Sequence, residues 1–136
     1  MTIRQARLKD VNDCYSISRQ ENEKYWKKSD FQSSINDKNS IFLVAEEDDN
    51  ITGYIRGFIV PGKNDEAMIH EARVSMSYRG NRIGTKLVEK FYKEAFKKGA
   101  KVVYALIEPN LKSFYVDSCN FKETGYWIET SIKAKK

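Results

Sequence analysis

Apolar residues recur along the chain with two different spacings, which predict strands and helices in succession. Alternation, or a short apolar run between turn residues, predicts strands over residues 2–7, 41–47, 51–60, 67–76, 102–107 and about 121–131. Helical spacing predicts helices over residues 11–25, 30–36, 84–98 and 110–118. This order predicts an α/β domain with a mixed sheet, in which the strands at 67–76 and 102–107 are parallel because one helix connects them.

The helix over 84–98 has the clearest pattern. Its apolar side chains fall on one face and four lysines fall on another, and Gly99 follows as a C-terminal stop. The run VVYALI over 102–107 is continuously apolar, which predicts a strand covered on both faces.

Composition agrees with a single domain over residues 1–136 and argues against several classes of protein. Hydrophobic residues make up 40% and charged residues 32%, which disfavours wholesale disorder. No apolar run approaches the roughly 18 residues of a membrane helix, and the first ten residues lack the apolar region of a signal peptide. We therefore expect a cytoplasmic protein with no membrane partner.

Charge and cysteine content narrow the chemistry further. The net charge is +5, but three lysines among the last four residues supply part of it, so we expect no nucleic-acid partner. Cys14 and Cys119 lack the close spacing of metal ligands, so we expect reduced thiols and no metal. Neither is a good nucleophile, because Cys14 belongs to an apolar helix face and Cys119 has no base nearby in sequence.

The most informative segment is VSMSYRGNRIGTKLV, residues 74–88. A strand ends, a loop carries Gly80 and Gly84, and a helix begins with unpaired N–H groups and partial positive charge. Arg79 and Arg82 add formal charge, so the loop is suited to bind a pyrophosphate. A plain turn with glycines for geometry explains the spacing equally well. The order Gly-Thr-Lys excludes a Walker A loop, and GxGxxG is absent.

Two stretches of the sequence resemble one known family. YRGNRIGT, residues 78–85, resembles the acetyl-CoA-binding motif Gln/Arg-x-x-Gly-x-Gly/Ala of the GNAT family of N-acetyltransferases. NLKSFYVDSCNF, residues 110–121, is similar to the family's later motif, in which an Asn precedes an aromatic-Tyr pair and Gly-Phe. Three positions depart from the pattern: Arg82 replaces the first motif glycine, Met76 a proline, and Asn120 the glycine before Phe121.

The resemblance implies a fold, a reaction and a cosubstrate. The fold would be a single-domain α/β GNAT-like one, with a mixed, mostly antiparallel sheet, helices on both faces and a central parallel strand pair splayed to hold CoA. The reaction would move an acetyl group from acetyl-CoA to a primary amine on a small molecule, a polyamine or a protein, by direct attack in a ternary complex. Dimerisation is frequent in the family, so a homodimer is an open expectation.

The resemblance also implies roles for individual residues. Acetyl-CoA would contact Val74, Met76, Arg79, Gly80, Asn81, Arg82, Ile83, Gly84, Thr85 and Asn110. Tyr115 matches the family's general acid, with aromatic packing as the alternative interpretation. His70 and Glu71 are candidate bases, and strand alternation lets only one of them face the cleft unless a bulge intervenes. A water chain, or no dedicated base, is equally open.

Two other functions fit the same residues. A non-catalytic acetyl-CoA-binding regulator of the same fold would bind CoA without turnover. A nucleic-acid-binding module would show steep salt dependence and ignore CoA.

Overall fold

The structure, a computed structural model, describes residues 1–20, 26–63, 65–125, 131 and 134. The strands are β1 (Thr2–Gln5), β2 (Ser40–Glu47), β3 (Asn50–Ile59), β4 (Glu66–Val74) and β5 (Val102–Ala105). The helices are α1 (Val11–Arg19), α2 (Lys28–Asn36) and α3 (Ile83–Lys97). The strands form one sheet in the order β1-β2-β3-β4-β5, in which neighbours are antiparallel except for the parallel pair of β4 and β5.

Helices cover both faces of the sheet because side chains alternate along each strand. In β2, Ile41, Leu43 and Ala45 join the core cluster built around α3, whereas Phe42 and Val44 join the cluster built around α1 and α2. This arrangement confirms the predicted α/β class, the mostly antiparallel sheet and the two helical layers.

A bulge in β4 changes this alternation halfway along the strand. Arg56 of β3 pairs with Glu71, but the next residue of β3 pairs with Ile69, so His70 is an extra residue in β4. Before the bulge, Ala67 and Ile69 belong to the cluster around α3, and after it Ala72 and Val74 pack against that same cluster. Glu71 therefore points to the opposite face of the sheet, where Arg56 contacts it.

The parallel pair is splayed because β5 is shorter than β4. Pairing runs from Glu66 with Val102 to Ile69 with Ala105, where β5 ends, while β4 continues to Val74. Among the described residues, no strand pairs with this edge of β4 over residues 70–74. The wedge between the strands opens a cleft at this point.

The end of the chain differs from the sequence-based expectation. Val102 is 42% exposed and β5 is the edge strand of the described sheet, so the prediction of a strand covered on both faces is wrong for this segment. Residues 121–125 are not in a strand, and residues 126–130 of the predicted final strand lie outside the described residues. In the described part of the chain, β5 is thus the last strand of the sheet.

The predicted helix over 110–118 is divided into two short pieces. Pro109–Leu111 form a 3-10 turn and Ser113–Ser118 form a π-helical turn. The predicted first helix ends at Arg19, and its last residues, 21–25, lie outside the described residues. Within the described ranges, no helix combines the length and the apolar character needed to cross a membrane.

Candidate active site

A cleft of about 790 Å³ occupies the wedge between β4 and β5. Four parts of the chain line it: the second half of β4, the loop and first turn of α3, the segment after β5, and Phe114 with Tyr115. Trp26, which precedes α2, adds an aromatic wall. The cleft thus brings together the strand end, the glycine-bearing loop and the later motif, which are far apart in sequence.

Eight of the ten residues predicted to contact acetyl-CoA line this cleft. They are Val74, Arg79, Gly80, Arg82, Ile83, Gly84, Thr85 and Asn110. Met76 and Asn81 do not line it. The side chain of Asn81 instead donates a hydrogen bond to the Tyr78 carbonyl group. Met76 is 55% exposed, and its N–H group donates to the side chain of Gln20.

Two residues of the loop before α3 have a left-handed backbone conformation, and only one of them is a glycine. Gly80 has φ of +89°, in the region that glycine favours. Arg82, which stands at the N-cap of α3, is left-handed as well, with φ of 60° and ψ of 22°. At the position of the first motif glycine, an arginine therefore adopts a backbone conformation that glycine favours.

Gly84 allows the first turn of α3 to approach the floor of the cleft. A Cβ atom at this position would lie 3.2 Å from the ring of Phe114 and 3.6 Å from Cγ2 of Val74. Ile83 is buried in the core and anchors the turn from the other side. The first N–H groups of a helix lack intrahelical partners, so this turn presents amide donors at the cleft.

Arg79 is held at the junction of strand and loop. Its Nε atom donates to the carbonyl oxygen of Val74 over 3.3 Å. With Arg82, it gives the loop two positive charges beside the helix N-terminus, which favours an anionic ligand.

Tyr115 lies at the inner end of the cleft and is buried. The rings of Phe114 and Phe121 contact it edge to face at centroid distances of 4.9 and 5.5 Å. Burial raises the pKa of the Tyr115 phenol above its usual value. The phenol therefore keeps its proton at neutral pH and is able to donate it.

Glu71 is a buried carboxylate surrounded by donors. The Tyr54 hydroxyl donates to Oε1 over 2.8 Å, and Arg56 Nε donates to the same oxygen over 3.2 Å. Arg73 Nε donates to Oε2 over 3.2 Å. Both carboxylate oxygens thus accept hydrogen bonds, and two positive charges offset one negative charge.

Sequence reasoning missed Tyr54 and Arg56 as partners of Glu71. Both residues lie on β3 in the run ITGYIRGFIV, separated by one residue, so they share a face of the sheet. An arginine inside an apolar strand requires a hydrogen-bond acceptor when it is buried. The position of Arg56 in this run therefore indicated that an acceptor lies beside it.

His70 occupies the bulge and lines the cleft together with Glu71. Its ring stacks on Trp26 at 5.7 Å between centroids and meets Phe58 edge-on at 4.7 Å. Partial burial, and secondarily the positive charge of Arg56, lower the pKa of His70 below its usual value. The neutral imidazole is therefore favoured. The bulge also allows both candidate bases to reach the cleft wall.

Among the described residues, the side chains able to bind a metal do not cluster, and the two thiols are buried. No group of three or more His, Cys, Asp or Glu side chains is placed there to hold a metal ion. Both cysteines are free and buried, and burial raises the pKa of Cys119 to about 11 and that of Cys14 further. Both thiols are therefore protonated at neutral pH.

The fold is that of known N-acetyltransferases. The aminoglycoside N-acetyltransferase AAC(6')-Iy, solved with a bisubstrate analogue of CoA, is similar with a TM-score of 0.82 and 15% identity over 98% of both chains. Glucosamine-6-phosphate N-acetyltransferase from Arabidopsis thaliana is similar with a TM-score of 0.79 and 16% identity, over 97% of this chain and 98% of that chain.

Sequence comparison then identifies the family. The model of the acetyltransferase (GNAT) family matches residues 9–121, so the chain belongs to that family, as its two motifs predicted. An L-2,4-diaminobutyric acid acetyltransferase from Shouchella clausii (strain KSM-K16) is 31% identical over 71 residues. That match spans 52% of this chain and 40% of the relative's length.

Proposed function

We propose that this protein transfers an acetyl group from acetyl-CoA to a primary amine by direct attack in a ternary complex. The observation that carries the proposal is one cleft in which the splayed β4–β5 edge, the first turn of α3 and the phenol of Tyr115 meet. Relatives whose names specify amine acceptors, such as diaminobutyric acid and aminoglycosides, support an amine as acceptor.

The residues of the cleft fit acetyl-CoA. Because Gly84 has no side chain, the first turn of α3 packs closely on Phe114 and Val74, and its amides lie at the wall of the cleft, where a helix N-terminus favours a phosphate. Arg79 and Arg82 supply positive charge to the same cleft, and Asn110 also lines it. The unpaired backbone edge around Val74 offers hydrogen-bonding groups for the amides of the pantetheine arm.

His70 is our candidate for the group that accepts the proton of the attacking amine. Most amines are protonated at pH 7, so attack requires a base. His70 lines the cleft and favours its neutral form. Glu71 is a weaker candidate because both its oxygens already accept hydrogen bonds from buried donors.

Tyr115 is our candidate for the general acid. When the amine nitrogen bonds to the carbonyl carbon, the carbon–sulfur bond breaks and the leaving thiolate takes a proton. The buried phenol holds a proton at neutral pH and lines the cleft. The N–H groups at the end of β4, near Val74, are candidates to stabilise the oxyanion.

Binding of the acyl donor is the first test. CoA at about 100 times its dissociation constant should stabilise the fold by about 2.7 kcal/mol, seen as a rise in the melting temperature. An Arg79→Glu/Gly84→Glu double variant should lose this rise. Lys93→Glu, a charge reversal on an exposed residue of α3, should keep it. The absence of any rise in the natural protein would contradict the proposal.

Turnover is the second test. A panel of polyamines, amino acids, aminoglycosides and peptide amines is incubated with acetyl-CoA while thiol release is measured. We expect release that depends on one class of amine. Binding of CoA without release for any amine would favour a non-catalytic CoA-binding regulator instead.

A further inference from the structure

Gln20 connects the end of α1 to the turn that follows β4. Its Oε1 atom accepts a hydrogen bond of 2.8 Å from the N–H group of Met76. Its Nε2 atom donates over 3.2 Å to Oγ of Ser75. One carboxamide thus bonds to two consecutive residues that are 55 and 56 positions away in sequence.

These two residues begin the segment that leads into the loop before α3. Ser75 extends β4 by one more backbone bond, from its N–H group to the carbonyl of Thr52. The turn Met76–Tyr78 then closes with a bond from the Tyr78 N–H to the Ser75 carbonyl. Tyr78 lines the cleft, and Arg79 comes next. The direction in which the loop leaves the strand is therefore set at Ser75 and Met76.

Gln20 has no evident role in the core that would explain these contacts. It is exposed and follows the last residue of α1, whose buried residues are Val11, Cys14, Ile17 and Ser18. Its side chain acts as donor and acceptor at once, which fixes its orientation. Met76 is itself exposed, so packing of its side chain does not hold the turn in place.

We propose that Gln20 is a positioning residue for acetyl-CoA, which holds the turn 75–78 so that the loop 79–85 presents its amides and arginines at the cleft. This inference rests on the proposed function of the cleft. Gln20 does not line the cleft and does not need to touch the ligand. It acts through the backbone of Met76, a residue that the family motif assigned to the ligand itself.

The central experiment compares CoA affinity in full-length variants by isothermal titration calorimetry. Gln20→Met keeps the length of the side chain and removes both hydrogen bonds. We expect CoA to bind about tenfold more weakly. This loss of binding free energy is similar to the net contribution of about one hydrogen bond. Gln32→Met, the same change at an exposed position of α2, should leave affinity unchanged.

Melting temperatures of the free proteins separate positioning from a general effect on stability. A positioning role predicts weaker CoA binding with a melting temperature close to that of the natural protein. A lower melting temperature with unchanged affinity, or full CoA affinity in Gln20→Met, would overturn the inference. A natural protein that fails to bind CoA would instead contradict the proposed function, so the two failures are distinguishable.

Ser75→Ala provides an independent variant, since it removes one partner of Gln20 and keeps the other. We expect a smaller loss of CoA affinity than in Gln20→Met. The double variant Gln20→Met/Ser75→Ala should bind CoA no more weakly than Gln20→Met alone, because both changes break the same connection. Losses that simply add would argue that Ser75 and Gln20 act separately and would contradict the inference.

Discussion

The hydroxyl group of Tyr54 donates a hydrogen bond of 2.8 Å to Oε1 of Glu71, across the antiparallel pair of β3 and β4. Tyr54 is fully buried, and the side chain of Glu71 is 8% exposed. Burial raises the pKa of Tyr54, so the phenol remains a donor at neutral pH. This bond fixes one wall of the cleft, since Glu71 lines it.

Removing this hydroxyl group should destabilise the fold measurably. Tyr54→Phe keeps the buried ring but takes one donor from a buried carboxylate, which should lower the free energy of unfolding by about 1–2 kcal/mol. Urea denaturation measures this difference. Tyr92→Phe is a matched control, because the Tyr92 hydroxyl has no hydrogen bond to the described residues, and it should change stability by less than about 0.5 kcal/mol. Equal effects of the two changes would contradict this account of Glu71.

The lowered pKa of His70 makes stability depend on pH with a defined sign. The unfolded chain binds the His70 proton more readily than the folded chain does, so protonation favours unfolding. Stability from this residue is complete above pH about 6.5 and is lost as the pH falls through the lower folded value. Urea midpoints between pH 8 and 5.5 should decline less in His70→Gln than in the natural protein. Equal declines of the urea midpoint in the two proteins would show that protonation of His70 is not coupled to unfolding as expected.

The pH dependence of turnover distinguishes the two candidate bases. If His70 accepts the proton, kcat/KM should fall on the acid side below the ordinary histidine pKa, and His70→Gln should lose about 100-fold in rate together with that acid limb. Glu71→Gln should keep the acid limb, although it leaves two arginines without their carboxylate partner and should lower the melting temperature. Loss of the acid limb in Glu71→Gln alone would reverse the assignment.

Tyr115→Phe separates acid catalysis from packing. The ring contacts with Phe114 and Phe121 do not need the hydroxyl group, so the melting temperature and CoA affinity should change little. Loss of the general acid should lower kcat by about 100-fold or more, measured by thiol release. A fully active Tyr115→Phe variant would assign the residue to aromatic packing alone.

Backbone strain predicts opposite effects on stability for substitutions at Arg82 and at Gly80. Arg82 is left-handed at φ of 60°, which costs a non-glycine residue roughly 1 kcal/mol. Arg82→Gly, which restores the family motif, should therefore raise the free energy of unfolding. Gly80→Ala, at φ of +89°, should lower it by a similar amount even though no atom crowds the new Cβ atom. Thermal denaturation of both variants checks the pair, and destabilisation by Arg82→Gly would refute the strain argument.

The parts of the fold with strong local signals were predictable from sequence. The hairpin of β2 and β3 and the amphipathic helix α3 lie within two residues of their predicted bounds, because periodicity and turn residues determine them locally. The loop between β4 and α3 was predictable for the same reason. Seven candidate ligand-binding residues of this segment, and Asn110 as an eighth, could be assigned from the motifs, although Asn81 and Met76 proved to lie away from the cleft.

Features that depend on partners distant in sequence were not predictable. The bulge at His70 is created by pairing between β3 and β4, and alternation in β4 alone gives no sign of it. The contact of Gln20 with Met76 joins residues 56 positions apart. In the described part of the chain β5 is the edge strand, and no pattern within residues 102–107 specifies which segment pairs beside it.

The bulge has a consequence for how β4 tolerates changes in length. Odd-numbered residues face α3 before His70, and even-numbered residues face it afterwards, so the strand contains two side-chain phases. Deleting this one residue would remove the bulge and leave a single alternation, in which Ile69 and Val74 still face α3 and Glu71 still faces away from it. A related chain that lacks one residue at this position should therefore keep its core and the Glu71 wall of the cleft in place and lose only the imidazole, because the loss restores simple alternation along the strand.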